Sequence, residues 1–407
     1  MPPLYGKDGY VWRLKKSLYG LRQSPLNFFT HLKQELEARK WITSEHDPCL
    51  FYKGGITCLV YVDDCLFFGK KDELITKEIQ LLKKPKPNSL ALEEESDVAG
   101  FLGILLHRSE EGIVLKQTGL IERIITSLGL EDSTPKSTPA ERAPLGKDKN
   151  GAQRSEGWNY RSVIGMMMYL ATNSRPDIAF AVNQCSRFSM DPRRSHEKAV
   201  KRIGRYLKGT KEMGMIIKPD HNLALDLYAD ADFAGLFQSE DPEDPVSVKS
   251  RTGWVVTLGG IPVTWSSKLQ SEIALSTMEA EYIALSTGMR ELVGCRKLLE
   301  EITIRCGIKR EMSSKVSRAY EDNEAALKHA VTPLPKLSPR TKHIGIKYHW
   351  FKKKIKVGEI EVFPISTKKQ KADIFTKGLG ATDFQDKRSL IMGWAIDEVD
   401  NKDFDFA

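Results

Sequence analysis

The stretch from Leu223 to Gly235 constrains the fold of this 407-residue chain more than any other. Apolar residues alternate with other residues over its first half, which predicts a strand with one face in a core. The alternation stops at Asp230, so a carboxylate lies at the end of a strand. Three acids further along could join it, from a helical first turn, a second strand end and a late helix: Glu279, Asp322 and Asp373. Each acid alone is explained as a cap or a surface charge, but the ordered set predicts a metal site.

The composition indicates a soluble, intracellular globular protein of two or three domains. Apolar residues make up 41% of the chain and charged residues 29%, and no signal-peptide pattern is present. The longest apolar run, Ile56 to Phe68, contains two aspartates that would be costly in lipid. The net charge of +8 permits a polyanionic partner without requiring one. The six cysteines form no Cys-x-x-Cys pair, so reduced thiols are expected.

The two aspartates in that run, Asp63 and Asp64, lie between two β-rich segments. This pattern predicts a hairpin with both carboxylates at its tip. One interpretation is a turn that simply favours aspartate, and the other is a platform for a divalent metal such as magnesium. A basic loop and an amphipathic helix starting near Pro25 precede this hairpin.

These two segments resemble a known family. Tyr61-Val62-Asp63-Asp64 resembles the metal-binding motif of reverse transcriptases, and residues 18–25 resemble the template-gripping segment of copia-type retrotransposons. The resemblance implies that Asp63 and Asp64 are catalytic metal ligands. It also implies that four residues contact the substrate: Gly20, Arg22, Gln23 and Tyr61. The family's third metal-binding aspartate lies upstream of the matched region, so we expect the polymerase half to be a fragment.

The second half of the chain resembles the ribonuclease H domain of the same elements. Its predicted order is three strands, helix, strand, two helices, strand and helix, and three segments carry the resemblance: residues 228–232, 278–286 and 340–344. The resemblance implies that Asp230, Glu279, Asp322 and Asp373 hold Mg²⁺ or Mn²⁺ and cleave the RNA strand of an RNA–DNA hybrid. Asp232 and Glu281 are left out, because their strand and helix positions are interpreted as pointing away. Ser276 with Glu279 also forms a capping box, which explains Glu279 without catalysis.

The expected fold class is α/β: a partial reverse transcriptase palm and thumb, a helical connection, and a ribonuclease H-like domain with a mixed five-strand sheet flanked by helices. The expected segments are palm and thumb at 1–130, a linker at 131–160, the connection at 161–221, the ribonuclease H domain at 222–380 and an acidic tail at 381–407. A basic face on the helix near residues 198–208 is interpreted as solvated, with phosphate contact as the alternative.

The expected partners are nucleic acid, an RNA–DNA hybrid in particular, and the rest of the Pol polyprotein, without a membrane. The resemblance implies an intracellular location, in the cytoplasm with the element's particle or in the nucleus. Two alternatives stay open. One is an active RNA-directed DNA polymerase whose upstream part is missing, and the other is a non-catalytic relic that binds nucleic acid.

Overall fold

The computed structural model describes residues 14–84, 90, 92–94 and 100–394, except 19, 111, 221, 238–243, 311–314, 334–335, 337–343, 345 and 347. The first part of the acidic insertion at 238–249, the basic motif at 340–343 and the tail beyond 394 lie outside the described residues. Two compact units divide the chain: Met1–Ser96 with Lys297–Lys309, and Asp97–Arg296 with Arg310–Ala407. No helix among the described residues is long and apolar enough to cross a membrane.

The first unit packs two helices against one antiparallel sheet. Its elements are α1 (Ser24–Ala38), β1 (Ile42–Thr43), β2 (Leu50–Lys53), β3 (Ile56–Tyr61), β4 (Asp64–Phe68) and α2 (Asp72–Lys83). The strands pair in the order β1-β2-β3-β4, and the predicted hairpin is confirmed as β3 and β4. Leu36, Phe51 and Cys58 are among the core residues, each at most 1% exposed.

The second unit opens with a three-stranded sheet and four helices. These are β5 (Leu105–Ser109), β6 (Gly112–Lys116), α3 (Thr118–Leu128), α4 (Tyr160–Asn173), α5 (Ala179–Ser186), α6 (Arg194–Gly209) and β7 (Met215–Ile217). Because β6 pairs with β7, the hairpin at 105–116 joins the connection helices rather than the palm. Helix α3 buries Ile121 and Ile124 in the core that it shares with α4, α5 and α6. Residues 97–130 therefore belong with the second unit, which differs from the expected segment 1–130.

The segment at 131–160, expected to be a loosely packed linker, lies against α6. Arg202 Nη2 donates to Thr138 Oγ1 at 2.8 Å, and Lys208 Nζ donates to the Ser133 carbonyl at 2.7 Å. These contacts satisfy the backbone and hydroxyl oxygens of the segment with the cations of the helix. The basic face of α6 is therefore partly covered by the chain itself, rather than solvated as interpreted from the sequence.

The rest of the second unit is built on a mixed five-stranded sheet. Its strands are β8 (Leu225–Asp232), β9 (Arg251–Leu258), β10 (Ile261–Leu269), β11 (Ser317–Glu321) and β12 (Ile360–Pro364), in the order β10-β9-β8-β11-β12. β8, β9 and β10 are antiparallel, whereas β11 runs parallel to β8 and β12. The helices are α7 (Thr277–Cys306), α8 (Glu324–Val331), α9 (Lys352–Lys356) and α10 (Ala381–Met392). This confirms the predicted ribonuclease H-like, mixed α/β architecture.

Helix α10 lies within the segment that was expected to be an acidic tail. It buries Phe384, Ile391 and Met392, and Trp394 follows at 3% exposure. The indole Nε1 of Trp394 donates to the Gly214 carbonyl at 2.6 Å. These apolar side chains are removed from water, so the chain is packed up to residue 394 and the segment is not a loose tail there.

Candidate active site

Three carboxylates from three elements meet at one edge of the five-stranded sheet. Asp230 comes from β8, Glu281 from the second turn of α7, and Asp322 directly follows β11. One ligand oxygen of each lies within 4.8 Å of those of the other two. β8 and β11 are parallel neighbours, so their carboxyl ends bring Asp230 and Asp322 together. The arrangement can hold a divalent cation with hard oxygen ligands.

Glu281 supplies the helical carboxylate, where the sequence had favoured Glu279. The backbone N–H of Leu275 donates to Glu279 Oε2 at 2.9 Å, and the N–H of Glu279 donates to Ser276 Oγ at 3.2 Å. Glu279 therefore serves the capping box and is not brought to the other acids. The signal was present in the sequence, because a capping box accounts for Glu279 and leaves the acid two residues later unassigned.

Burial makes this cluster unfavourable without a cation. It raises the pKa of Asp230 to about 7 and the pKa of Glu281 to about 10, and the neighbouring carboxylates add to both increases. Burial also raises the pKa of Glu321, at the end of β11, to about 8. Glu281 Oε2 is buried and has no hydrogen-bond partner among the described residues. A buried carboxylate that has an unpartnered oxygen and lies beside two other acids fits a metal ligand.

Asp373 is buried beside the cluster, but two lysines hold its carboxylate. Lys387 Nζ, from α10, lies 2.9 Å from Asp373 Oδ2, and Lys377 Nζ lies 2.8 Å from Oδ1. Lys377 Nζ is also 3.9 Å from Asp230 Oδ2, and Thr376 Oγ1 donates to that same oxygen. The fourth predicted acid is therefore adjacent to the triad and already paired with cations.

Asp232 also lies on the side of the sheet that carries Asp230. The two residues are two positions apart on β8, so their side chains share a face. Burial raises the pKa of Asp232, while Lys377 and Arg251 oppose the increase. The interpretation that Asp232 points away is therefore wrong, although its carboxylate is outside the group that can share one ion.

The predicted polymerase residues lie on the surface of the first unit. Asp63 and Asp64 are exposed at the β3–β4 turn, next to Val62, whose φ of 53° is left-handed. No third acidic side chain of the described residues comes close enough to share an ion with this pair. The residues predicted to contact substrate are exposed too: Gly20, Arg22, Gln23 and Tyr61.

The chain is similar to known proteins over nearly its whole length. Residues 3–142 match the family model described as reverse transcriptase (RNA-dependent DNA polymerase). The chain is 33% identical to the retrovirus-related Pol polyprotein from transposon RE1 of Arabidopsis thaliana, over 96% of this chain and 26% of that polyprotein. It is 32% identical to the polyprotein from transposon TNT 1-94 of Nicotiana tabacum, over 95% of this chain and 28% of that one.

Among solved structures, LC11-RNase H1 isolated from compost is similar at 19% identity, covering 38% of this chain and 93% of its own, with a TM-score of 0.25. The chain combines a segment that matches the reverse transcriptase family with the domain built on the mixed five-stranded sheet. It belongs to the copia-type family of LTR retrotransposon Pol polyproteins. It spans about a quarter of the length of the polyproteins it matches.

Proposed function

We propose that this chain is a retrotransposon ribonuclease H that cleaves the RNA strand of RNA–DNA hybrids with Mg²⁺ or Mn²⁺. The observation that carries the proposal is the convergence of Asp230, Glu281 and Asp322 within 4.8 Å of one another. The raised pKa values of Asp230 and Glu281 and the unpartnered Glu281 oxygen fit a site completed by a cation. The first unit is proposed to be the palm fragment of the reverse transcriptase.

The residues of the site divide into ligands and groups that orient them. Asp230, Glu281 and Asp322 would hold the metal, which when bound would activate a water molecule and stabilise the leaving oxygen. Asp322 Oδ2 accepts a hydrogen bond from Thr367 Oγ1 at 2.9 Å, which fixes its orientation. Lys377 has a side chain 42% exposed, so its ammonium group can also face a substrate phosphate.

The test is cleavage of end-labelled 20-mer duplexes by the purified chain. We expect cleavage of the RNA strand of the hybrid with Mg²⁺ or Mn²⁺, none in EDTA, and none of double-stranded DNA, which lacks the 2′-hydroxyl. A folded chain that binds the hybrid but leaves it intact with either metal would instead favour the non-catalytic relic.

Metal binding should stabilise the protein more at pH 8 than at pH 5. The pKa values of Asp230, Glu321 and Glu281 are raised to about 7, 8 and 10, so the folded state binds protons more tightly than the unfolded state. Stability without metal is therefore lost as pH rises from about 4 through these values. Magnesium competes with those protons, and saturation to a hundred times Kd adds about 2.7 kcal/mol.

The measurement is the difference in Tm between Mg²⁺ and EDTA samples at each pH, since groups unrelated to the site cancel in that difference. The difference should be small at pH 5 and should grow toward pH 8. Glu281→Gln should flatten the dependence. An equal magnesium effect at both pH values would show that these carboxylates do not bind the ion.

The 407-residue chain should not extend a primer on an RNA template. Asp63 and Asp64 are exposed at a turn, and nucleotidyl transfer with two metals needs further ligands that no described residue brings to them. The assay is incorporation of labelled nucleotide by the purified chain, with Asp63→Asn as the control. Extension that disappears in Asp63→Asn would establish the polymerase as an activity of this chain.

A further inference from the structure

Arg251, the first residue of β9, is a buried cation whose cross-strand neighbour on β8 is Asp232. The residue is 3% exposed, and it forms no ion pair with a carboxylate among the described residues. Nη1 donates to Asn183 Oδ1 at 2.5 Å and to Ser267 Oγ at 3.3 Å. Nη2 is buried and has no hydrogen-bond partner in the part of the chain that the structure describes. A guanidinium with a free donor in this setting is costly unless an anion completes it.

The electrostatic surroundings of Arg251 point in the same direction. Burial and the charge of Arg187 together lower its pKa to about 9, although Asp232 opposes both. A lowered pKa means that the local potential is already positive and the charge poorly solvated. Binding of an anion would relieve both effects.

A cavity of about 40 Å³ lies next to this guanidinium. Its lining includes four cations, Arg142, Lys249, Arg251 and Lys377, with Asp232 as the acid among them. One water needs roughly 10–15 Å³ of such space, so the cavity has room for a group of three or four oxygens. Arg142 is exposed at the surface, so the charged lining extends from the buried guanidinium outward.

We propose that this cavity is an anion site that takes a phosphate group through Arg251, Arg142 and Lys249. Lys377 lines the cavity and also pairs with Asp373 and lies near Asp230, so the bound phosphate would be adjacent to the carboxylate site. A planar guanidinium with an open Nη2 suits a phosphate oxygen well. The site itself does not depend on catalysis. Only the assignment of its phosphate to a nucleic-acid backbone rests on the proposed function.

The first experiment uses inorganic phosphate and the metal-free full chain in EDTA. Phosphate should raise the Tm of the wild type and bind measurably by calorimetry. Arg142→Gln combined with Lys249→Gln should weaken that binding by about tenfold or more, because two charge-assisted contacts are lost. Lys218→Gln, at an exposed lysine outside the cavity, is the matched control and should leave binding unchanged. Equal phosphate affinity in the double variant and the control would overturn the proposal.

Arg251→Lys tests the buried group directly and keeps the charge while removing the Nη2 donor. If the variant folds, as judged by circular dichroism, it should bind phosphate more weakly than the wild type. Unchanged affinity in the folded variant would also overturn the proposal. If Arg251→Lys does not fold, the phosphate affinity of the variant that combines Arg142→Gln with Lys249→Gln decides whether the cavity binds phosphate.

The second arm measures hybrid binding in EDTA, where no cleavage occurs. Weaker binding by the double variant, with a salt dependence reduced by about one ion per lost contact, would assign the site to a backbone phosphate. Loss of phosphate binding with unchanged hybrid affinity would support the site and assign it to free phosphate. Both readouts are independent of hydrolysis, so failure of the proposed nuclease activity would be seen separately.

Discussion

Glu281→Gln should reduce cleavage of the hybrid by about a hundredfold or more, while Glu279→Gln should cleave near the wild-type rate. Loss of one electrostatic contributor at a reacting centre commonly has an effect of that size. Glu281 lies with Asp230 and Asp322 in the only three-acid group found among the described residues, whereas Glu279 accepts from the Leu275 backbone. The two substitutions are chemically identical and two residues apart on one helix, so each controls for the other.

The stability of both variants should separate the roles further. A glutamine at 279 can still close the capping box, so the free energy of unfolding should change by less than about 1 kcal/mol. A glutamine at 281 removes a buried carboxylate whose pKa is raised to about 10, so the metal-free protein should not be destabilised by charge loss. Collapse of cleavage in Glu279→Gln with normal cleavage in Glu281→Gln would return the catalytic role to Glu279.

Local patterns in the sequence predicted the frame of the site. The alternation that ends at Asp230 predicted strand β8, and the predicted run of three strands before a helix matches β8, β9 and β10. The apolar strand before Asp322 was also found, so two of the three converging carboxylates came from strand ends. Strand ends are readable because the period of two and its interruption are both local features.

The errors arose where tertiary contacts decide. Nothing local to Asp373 indicates that Lys387 would fold back from α10 to pair with it, or that Trp394 would be buried. The preference for Glu279 over Glu281 had a different origin, because the capping box is a local signal that already accounted for Glu279. Arg251 reads as an ordinary basic residue at a strand start, and only the packing of Phe180 and Asn183 around it reveals a buried cation.

Asp230→Asn should reduce cleavage to about a hundredth of the wild-type rate or less. It should also stabilise the metal-free protein at pH 8. Asparagine keeps the shape and can still accept from Thr376 Oγ1, but it cannot carry the ligand charge. Burial raises the pKa of Asp230 from 3.8 to about 7, which at 1.36 kcal/mol per pKa unit sets an upper limit of about 4 kcal/mol on the relief. That pKa already includes the attraction to Lys377, but a buried amide nitrogen of asparagine without a partner costs about 1–3 kcal/mol, so we expect a gain of about 1–3 kcal/mol.

Asp226→Asn is the matched control, because it makes the same change four residues earlier on β8. Arg318 donates two hydrogen bonds of 2.7 and 2.6 Å to the Asp226 carboxylate, so removing the charge of Asp226 should destabilise the protein. The Arg318 side chain is 38% exposed, which limits that loss to about 1 kcal/mol and leaves cleavage near the wild-type rate. Urea unfolding at pH 8 in EDTA measures the free energy of unfolding of both variants. A gain for Asp230→Asn together with a loss for Asp226→Asn would identify Asp230 as a ligand that needs a cation. If Asp230→Asn instead loses stability as Asp226→Asn does, Asp230 is a structural ion-pair partner, and the metal site must be sought elsewhere.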